Sequence, residues 1–183
     1  MLINGIYIIL LHAKKIPPHL AIAIDGRVFS LSVNGPKING KMSELISMIQ
    51  SKAIKTLFFQ LSEREDYTTL QLIEKMKKLT LAYSGLAPLF HGRAGLDAGG
   101  VTCLNPIKEF CRSVYKTNIA GVNFIFDLLP ELGNEVIARF HLNMESCLSE
   151  GVFYLKKYTM EDIDNMIRRL VPKKSHQHHE KTL

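Results

Sequence analysis

Residues 17–33 read PPHLAIAIDGRVFSLSV, and this stretch decides how the first half of the chain folds. Two apolar, β-branched runs flank the dipeptide Asp25-Gly26, which a type I′ turn favours because both of its central residues need a positive φ. The stretch therefore predicts a tight β-hairpin. Counting by two along the first strand places His19 on a face that it shares with two alanines, and such small neighbours leave room beside an imidazole.

Length and composition predict one domain. The chain has 183 residues, of which 46% are hydrophobic, enough for one sizeable core and too few for two domains. We expect residues 1–172 to form a single α+β domain with a small antiparallel sheet packed against helices and a helical C-terminal third. Residues 173–183 are basic and histidine-rich, a composition typical of a disordered tail.

The charge balance says little about partners. A net charge of +6 and an isoelectric point near 9.2 suit an anionic partner, but the lysines are spread along the chain. We therefore interpret the charge as a solvated basic surface and expect no nucleic-acid partner.

The cysteines and the N-terminal sequence indicate the cellular compartment in which the protein is expected. Three cysteines without zinc-like spacing favour a reducing compartment. The apolar run Ile6–Leu11 is too short for a signal peptide or a transmembrane segment, so we expect a cytoplasmic protein, or one exported without a recognisable signal. Because no P-loop, dinucleotide fingerprint or His-Glu-x-x-His motif occurs, we expect neither a cofactor nor a metal.

Other segments predict further elements. Strands are expected over Gly5–Leu11, Lys55–Leu61 and Val152–Tyr158. Helices are expected after the caps Ser43, Asp66 or Thr68, Thr102 or Asn105, and Thr159 with Asp162. The stretch from Asn118 to Val171 is expected to be mostly helical apart from that last strand, with His141 as a structural residue within it. Asn34-Gly35-Pro36 and Asn39-Gly40 are expected to break the chain after the hairpin.

A glycine-rich stretch, residues 85–100, leads directly into Cys103. A loop of that length in a small domain is usually functional or disordered, and its position before the cysteine favours function. Pro106 suits a first helical turn, so Cys103 lies at or just before a helix N-terminus, where partial positive charge and free amides favour a thiolate and can bind an oxyanion. Cys111 and Cys147 fall in apolar helical patterns and are expected to be small buried side chains.

A strand histidine before a hairpin, followed at mid-chain by Thr102-Cys103 at the head of a helix, resembles the circularly permuted branch of the NlpC-type papain-like hydrolases. That branch includes the lecithin:retinol acyltransferase-like proteins. The resemblance covers roughly residues 5–115 and implies a permuted papain-like fold.

The resemblance also implies roles for individual residues. Cys103 would be the nucleophile and His19 the base that accepts its proton. The third position, which orients the imidazole, falls on Ser30 or Ser32, where family members more often carry a histidine or another stronger acceptor. Further candidates for substrate, oxyanion or orienting contacts are Gly100, Thr102, Leu104, His91 and Asp97.

Two functions follow from these expectations. The first is a thiol hydrolase or acyltransferase that acts on an amide or ester through a Cys103 thioester; by the resemblance, its substrate is a peptide or an acyl-bearing small molecule. The alternative is a catalytically inactive papain-like module that binds a protein or another anionic partner.

Overall fold

The computed structural model describes residues 4–86, 101–149 and 153–170. The strands are β1 (Ile6–Leu11), β2 (His19–Ile24), β3 (Arg27–Ser32), β4 (Gly35–Lys41), β5 (Thr56–Leu61) and β6 (Val136–Leu142). The helices are α1 (Met42–Ser51), α2 (Thr69–Leu86), α3 (Leu104–Tyr115), α4 (Ile125–Leu132) and α5 (Met160–Leu170). The general α+β class predicted from the sequence is confirmed. No described helix combines the length and the apolarity that crossing a membrane requires.

The six strands form one antiparallel sheet in the order β4-β3-β2-β1-β5-β6. The predicted hairpin is β2 and β3, and its turn residues Asp25 and Gly26 have φ angles of 43° and 77°. Both values are positive, as a type I′ turn requires. The Asp25 carboxylate accepts hydrogen bonds from the Gly5 amide and the Thr69 hydroxyl, each at 2.7 Å, so the turn also fastens β1 and the start of α2.

Helices cover both faces of the sheet. All six residues of β1 are buried, which explains its uninterrupted apolar sequence. One face packs against α2, α3, α4 and α5, and the other packs against α1. Ala21 and Ala23 lie on the α1 face in one cluster with Met42, Leu45 and Ile49. These small side chains therefore allow a helix to pack close to the sheet.

Two strands differ from the sequence predictions. The stretch that forms β4 was expected to be broken by turns, but it pairs with β3 through a register shift near Val28 and Ser30, with Asn39 at a φ of 55°. A sheet edge tolerates such a proline- and glycine-containing strand because half of its backbone groups need no partner. β6 lies where helix was expected and carries His141, which is thus on an exposed edge strand.

The C-terminal third differs further. Residues 153–158 were expected to form a last strand, but they follow an irregular path. α2 continues to Leu86, so the start of the predicted glycine-rich loop is helical. The rest of that loop, with His91, Asp97 and Gly100, lies outside the described residues, and so does the predicted tail of residues 173–183.

Candidate active site

A cavity of about 350 Å³ lies where β2 begins, β3 ends and α3 begins, with α5 and the segment before it on the far side. Its volume is near the lower end of the range for small-molecule sites, roughly 300–1,000 Å³. Cys103 and His19 both line it, although they are far apart in the chain. The fold therefore brings the predicted nucleophile and the predicted base to one cavity.

The sheet positions His19 as the first residue of β2, opposite Leu11 of β1. Two prolines precede it and also line the cavity, and their missing amides keep this segment out of the strand ladder. Burial lowers the pKa of the His19 imidazole, and the nearby His12 lowers it further. His19 is consequently neutral at pH 7 and able to accept a proton.

A capping box positions Cys103. The Thr102 hydroxyl accepts a hydrogen bond from the Leu104 amide at 3.2 Å, and the Asn105 side chain accepts one from the Thr102 amide at 2.7 Å. Because Pro106 has no amide to donate, the Thr102 carbonyl accepts from the Asn105 amide instead, at 3.1 Å. Of the two predicted caps, Thr102 thus provides the capping hydroxyl, and Cys103 directly precedes α3.

The thiol of Cys103 is not ionised in this setting. Burial raises its pKa, and the nearby backbone amide of Leu20 offsets only part of that effect by favouring the thiolate. A neutral thiol therefore faces the same cavity as a neutral imidazole, and no thiolate–imidazolium pair is formed in advance. Attack on a substrate would require proton transfer from sulfur to nitrogen during the reaction.

The two candidate orienting serines differ in position. Ser32 lines the cavity, whereas Ser30 pairs with Ala21 in the middle of the hairpin and is not among the described residues that line it. The Ser32 hydroxyl donates to the Gly35 carbonyl and accepts from the Asn34 amide, both at 3.2 Å. Because its hydrogen bonds close the β3–β4 turn, Ser32 is poorly placed to hold an imidazole.

The predicted oxyanion contacts are also partly engaged. Thr102 and Leu104 line the cavity, but their amides already donate within the capping box. The Cys103 amide lies between them, directly before α3, and its position beside the Cys103 sulfur makes it the better candidate donor to an oxyanion.

His12, which the sequence offered as a competing histidine, also lines the cavity, whereas Tyr158, Asn123 and Lys15 are polar lining residues that sequence reasoning did not assign to the site. Tyr158 was assigned to a strand, but its ring meets Phe124 and Phe126 edge-on at centroid distances of 5.3 and 5.2 Å. Its pKa is raised by burial and by the proximity of Cys103, so its hydroxyl stays protonated and able to donate. No spacing in the sequence signals this contact, since the tyrosine reaches the site from an irregular segment.

The other cysteines lie elsewhere. Cys111 is fully buried in α3, as predicted. Cys147 is half-buried in a 3-10 turn, Glu145–Cys147, and not in a helix. Within the described part of the chain, no three His, Cys, Asp or Glu side chains converge as a metal site would require.

Comparisons of the chain with protein-family models, with curated proteins and with solved structures found no match.

Proposed function

We propose that the protein is a cysteine-dependent hydrolase or acyltransferase, of the permuted papain-like type, that acts on amide or ester acyl groups. The observation that carries the proposal is the shared cavity of Cys103 and His19, one on a helix N-terminus and the other on a hairpin strand. A nucleophile needs a base and space for a carbonyl group, so a cavity lined by both Cys103 and His19 supports the proposal.

The reaction would proceed in two steps. The Cys103 sulfur attacks the acyl carbonyl while its proton passes to the neutral His19 imidazole, and the Cys103 amide donates to the resulting oxyanion. The C–N or C–O bond then breaks, and His19 returns the proton to the departing amine or alcohol. Water, or an acceptor amine or hydroxyl, then gives a proton to His19 and attacks the thioester, which releases the product and restores the thiol.

An acylation experiment tests this proposal. Incubation with p-nitrophenyl octanoate, followed by peptide mass spectrometry, should find an octanoyl adduct on Cys103. His19→Ala should slow its formation about a hundredfold or more, the usual contribution of a general base. His141→Ala is the matched control because that histidine is exposed on β6, and it should leave the rate unchanged. An adduct that forms equally fast in His19→Ala would overturn the proposal.

Two observations favour a second candidate, an inactive binding module. Burial keeps Cys103 protonated, and the Ser32 hydroxyl is taken up by the backbone of its own turn. If the same incubation yields no adduct on Cys103 while uncleaved acyl ligands bind saturably, this second function replaces the first.

A further inference from the structure

One side of the cavity is basic. Lys15, His12 and His19 line it, and no aspartate or glutamate is among the described lining residues. Burial lowers the pKa of His12 and of His19, and the charges of Lys15 and His12 respectively lower these pKa values further, so both imidazoles are neutral at pH 7. Lys15 therefore gives the cavity a positive charge that no described carboxylate in its wall neutralises.

Other lining residues are apolar. They include Leu104 at the head of α3, Ile163 and Met166 on α5, and Leu31 from the sheet. A cavity lined by both basic and apolar residues suits an amphipathic ligand that carries a single anionic group. Lys15 supplies one permanent positive charge, which matches one carboxylate.

The position of His19 orients such a ligand. In an acyl-transfer reaction the leaving amine receives its proton from His19, so it departs on the histidine side of the thiol. His12 and Lys15 lie beside His19, because His12 follows Leu11, the strand partner of His19, and the Lys15 amide donates to the His12 carbonyl at 2.7 Å. The acyl group is then left to the apolar lining residues.

We propose that the cavity selects amides in which an apolar acyl group is joined to an amine that carries a carboxylate, as in an N-acyl amino acid. Selection of this ligand is a property of the cavity, and its cleavage rests on the proposed function. In the cleavage step the Cys103 sulfur–carbon bond forms, the carbon–nitrogen bond breaks, and the amino acid leaves with the proton held by His19.

Calorimetric titration of the full-length Cys103→Ser variant, checked for folding by circular dichroism, separates binding from chemistry. N-octanoylglycine should bind about fivefold tighter than N-octanoylglycinamide, which has the same shape without the charge, since one exposed ion pair contributes up to about 1 kcal/mol. Adding Lys15→Gln to Cys103→Ser should abolish the difference in affinity between the acid and the amide. Adding Lys14→Gln should preserve it, because that neighbouring lysine lies beside Cys147 and not in the cavity wall.

The outcomes distinguish the two proposals. Equal affinity for the acid and the amide, a preference that survives Lys15→Gln, or binding of neither ligand overturns this inference. Selective binding by Cys103→Ser, with no octanoyl adduct on wild-type Cys103, supports the inference and rejects the proposed function. A Cys103 adduct that forms equally fast from both ligands rejects the inference and supports the function.

Discussion

At the scale of single residues, the three cysteines lie in different electrostatic environments. Burial raises the pKa of Cys111 to about 12, and it also raises that of Cys103. The pKa of Cys147 is lowered, first by the Ser146 hydroxyl and then by two lysines, of which Lys55 donates to that hydroxyl at 3.2 Å. The cysteine with the most thiolate is thus outside the cavity, contrary to the order expected from a helix N-terminus alone.

We therefore predict that iodoacetamide alkylates Cys147 fastest in the native protein at pH 7.5, Cys103 more slowly and Cys111 last. Peptide mass spectrometry over a time course measures the three rates. Lys55→Gln should slow Cys147 alone, because it removes a donor that favours the thiolate. A Cys103 rate above that of Cys147 would show that the helix N-terminus outweighs burial at the cavity.

At the scale of elements, three helices begin with the same device. In each, a threonine hydroxyl accepts a hydrogen bond from the backbone amide two or three residues later in the chain. In return, the side-chain oxygen of the residue three positions later accepts a hydrogen bond from the backbone amide of the threonine. The pairs are Thr68 with Gln71, Thr102 with Asn105, and Thr159 with Asp162. At α3 the capping residues Thr102 and Leu104 flank Cys103, so the cap that stabilises the helix also holds the backbone on both sides of the candidate nucleophile.

Thr102→Ala should lower the free energy of unfolding by about 1 kcal/mol, which is the usual cost of removing an N-cap. It should also slow the acylation of Cys103 by more than the loss of folded protein explains. Thr68→Ala is the matched control, because it removes the same kind of cap from α2. Its loss of stability should be similar, with no change in acylation. Urea unfolding and the octanoyl adduct assay measure the two effects; equal acylation rates in the two variants would contradict the prediction.

At the scale of the whole molecule, buried titratable groups limit the pH range of stability on both sides. Burial raises the pKa values of Tyr115, Tyr158 and Cys111 in the folded protein. The folded state is therefore most stable below the ordinary pKa values of these groups, and it loses stability as the pH rises above them, because the unfolded chain releases these protons first. The pKa of His19 is lowered by burial, so the unfolded chain binds a proton there first, and stability falls as the pH drops below about 6.5.

The midpoint of thermal unfolding should therefore be highest between about pH 6.5 and 9 and fall on either side. In His19→Asn the midpoint of thermal unfolding should fall less steeply at acid pH than in the wild type, because asparagine takes up no proton. His141→Asn is the control for the substitution itself, because it replaces an exposed histidine on β6. If the midpoint of His19→Asn falls at acid pH as steeply as that of the wild type, His19 is not the group that limits stability there.

Local chemistry in the sequence determined several elements of this protein. The Asp25-Gly26 turn, the apolar β1 and the caps Thr102 and Thr159 all follow from rules that act within a few residues, because turn angles and caps depend on neighbouring side chains. The placement of Cys103 at the start of a helix was predictable for the same reason.

Only the tertiary structure decided the rest. β4 and β6 are edge strands whose sequences favour turns or helix, and pairing with β3 and β5 overrides those preferences. The burial that lowers the pKa of His19, the burial that raises the pKa of Cys103 and the position of Tyr158 beside the cavity all depend on segments distant in the chain. Desolvation acts through space, so the sequence identified candidate groups while the fold set their protonation.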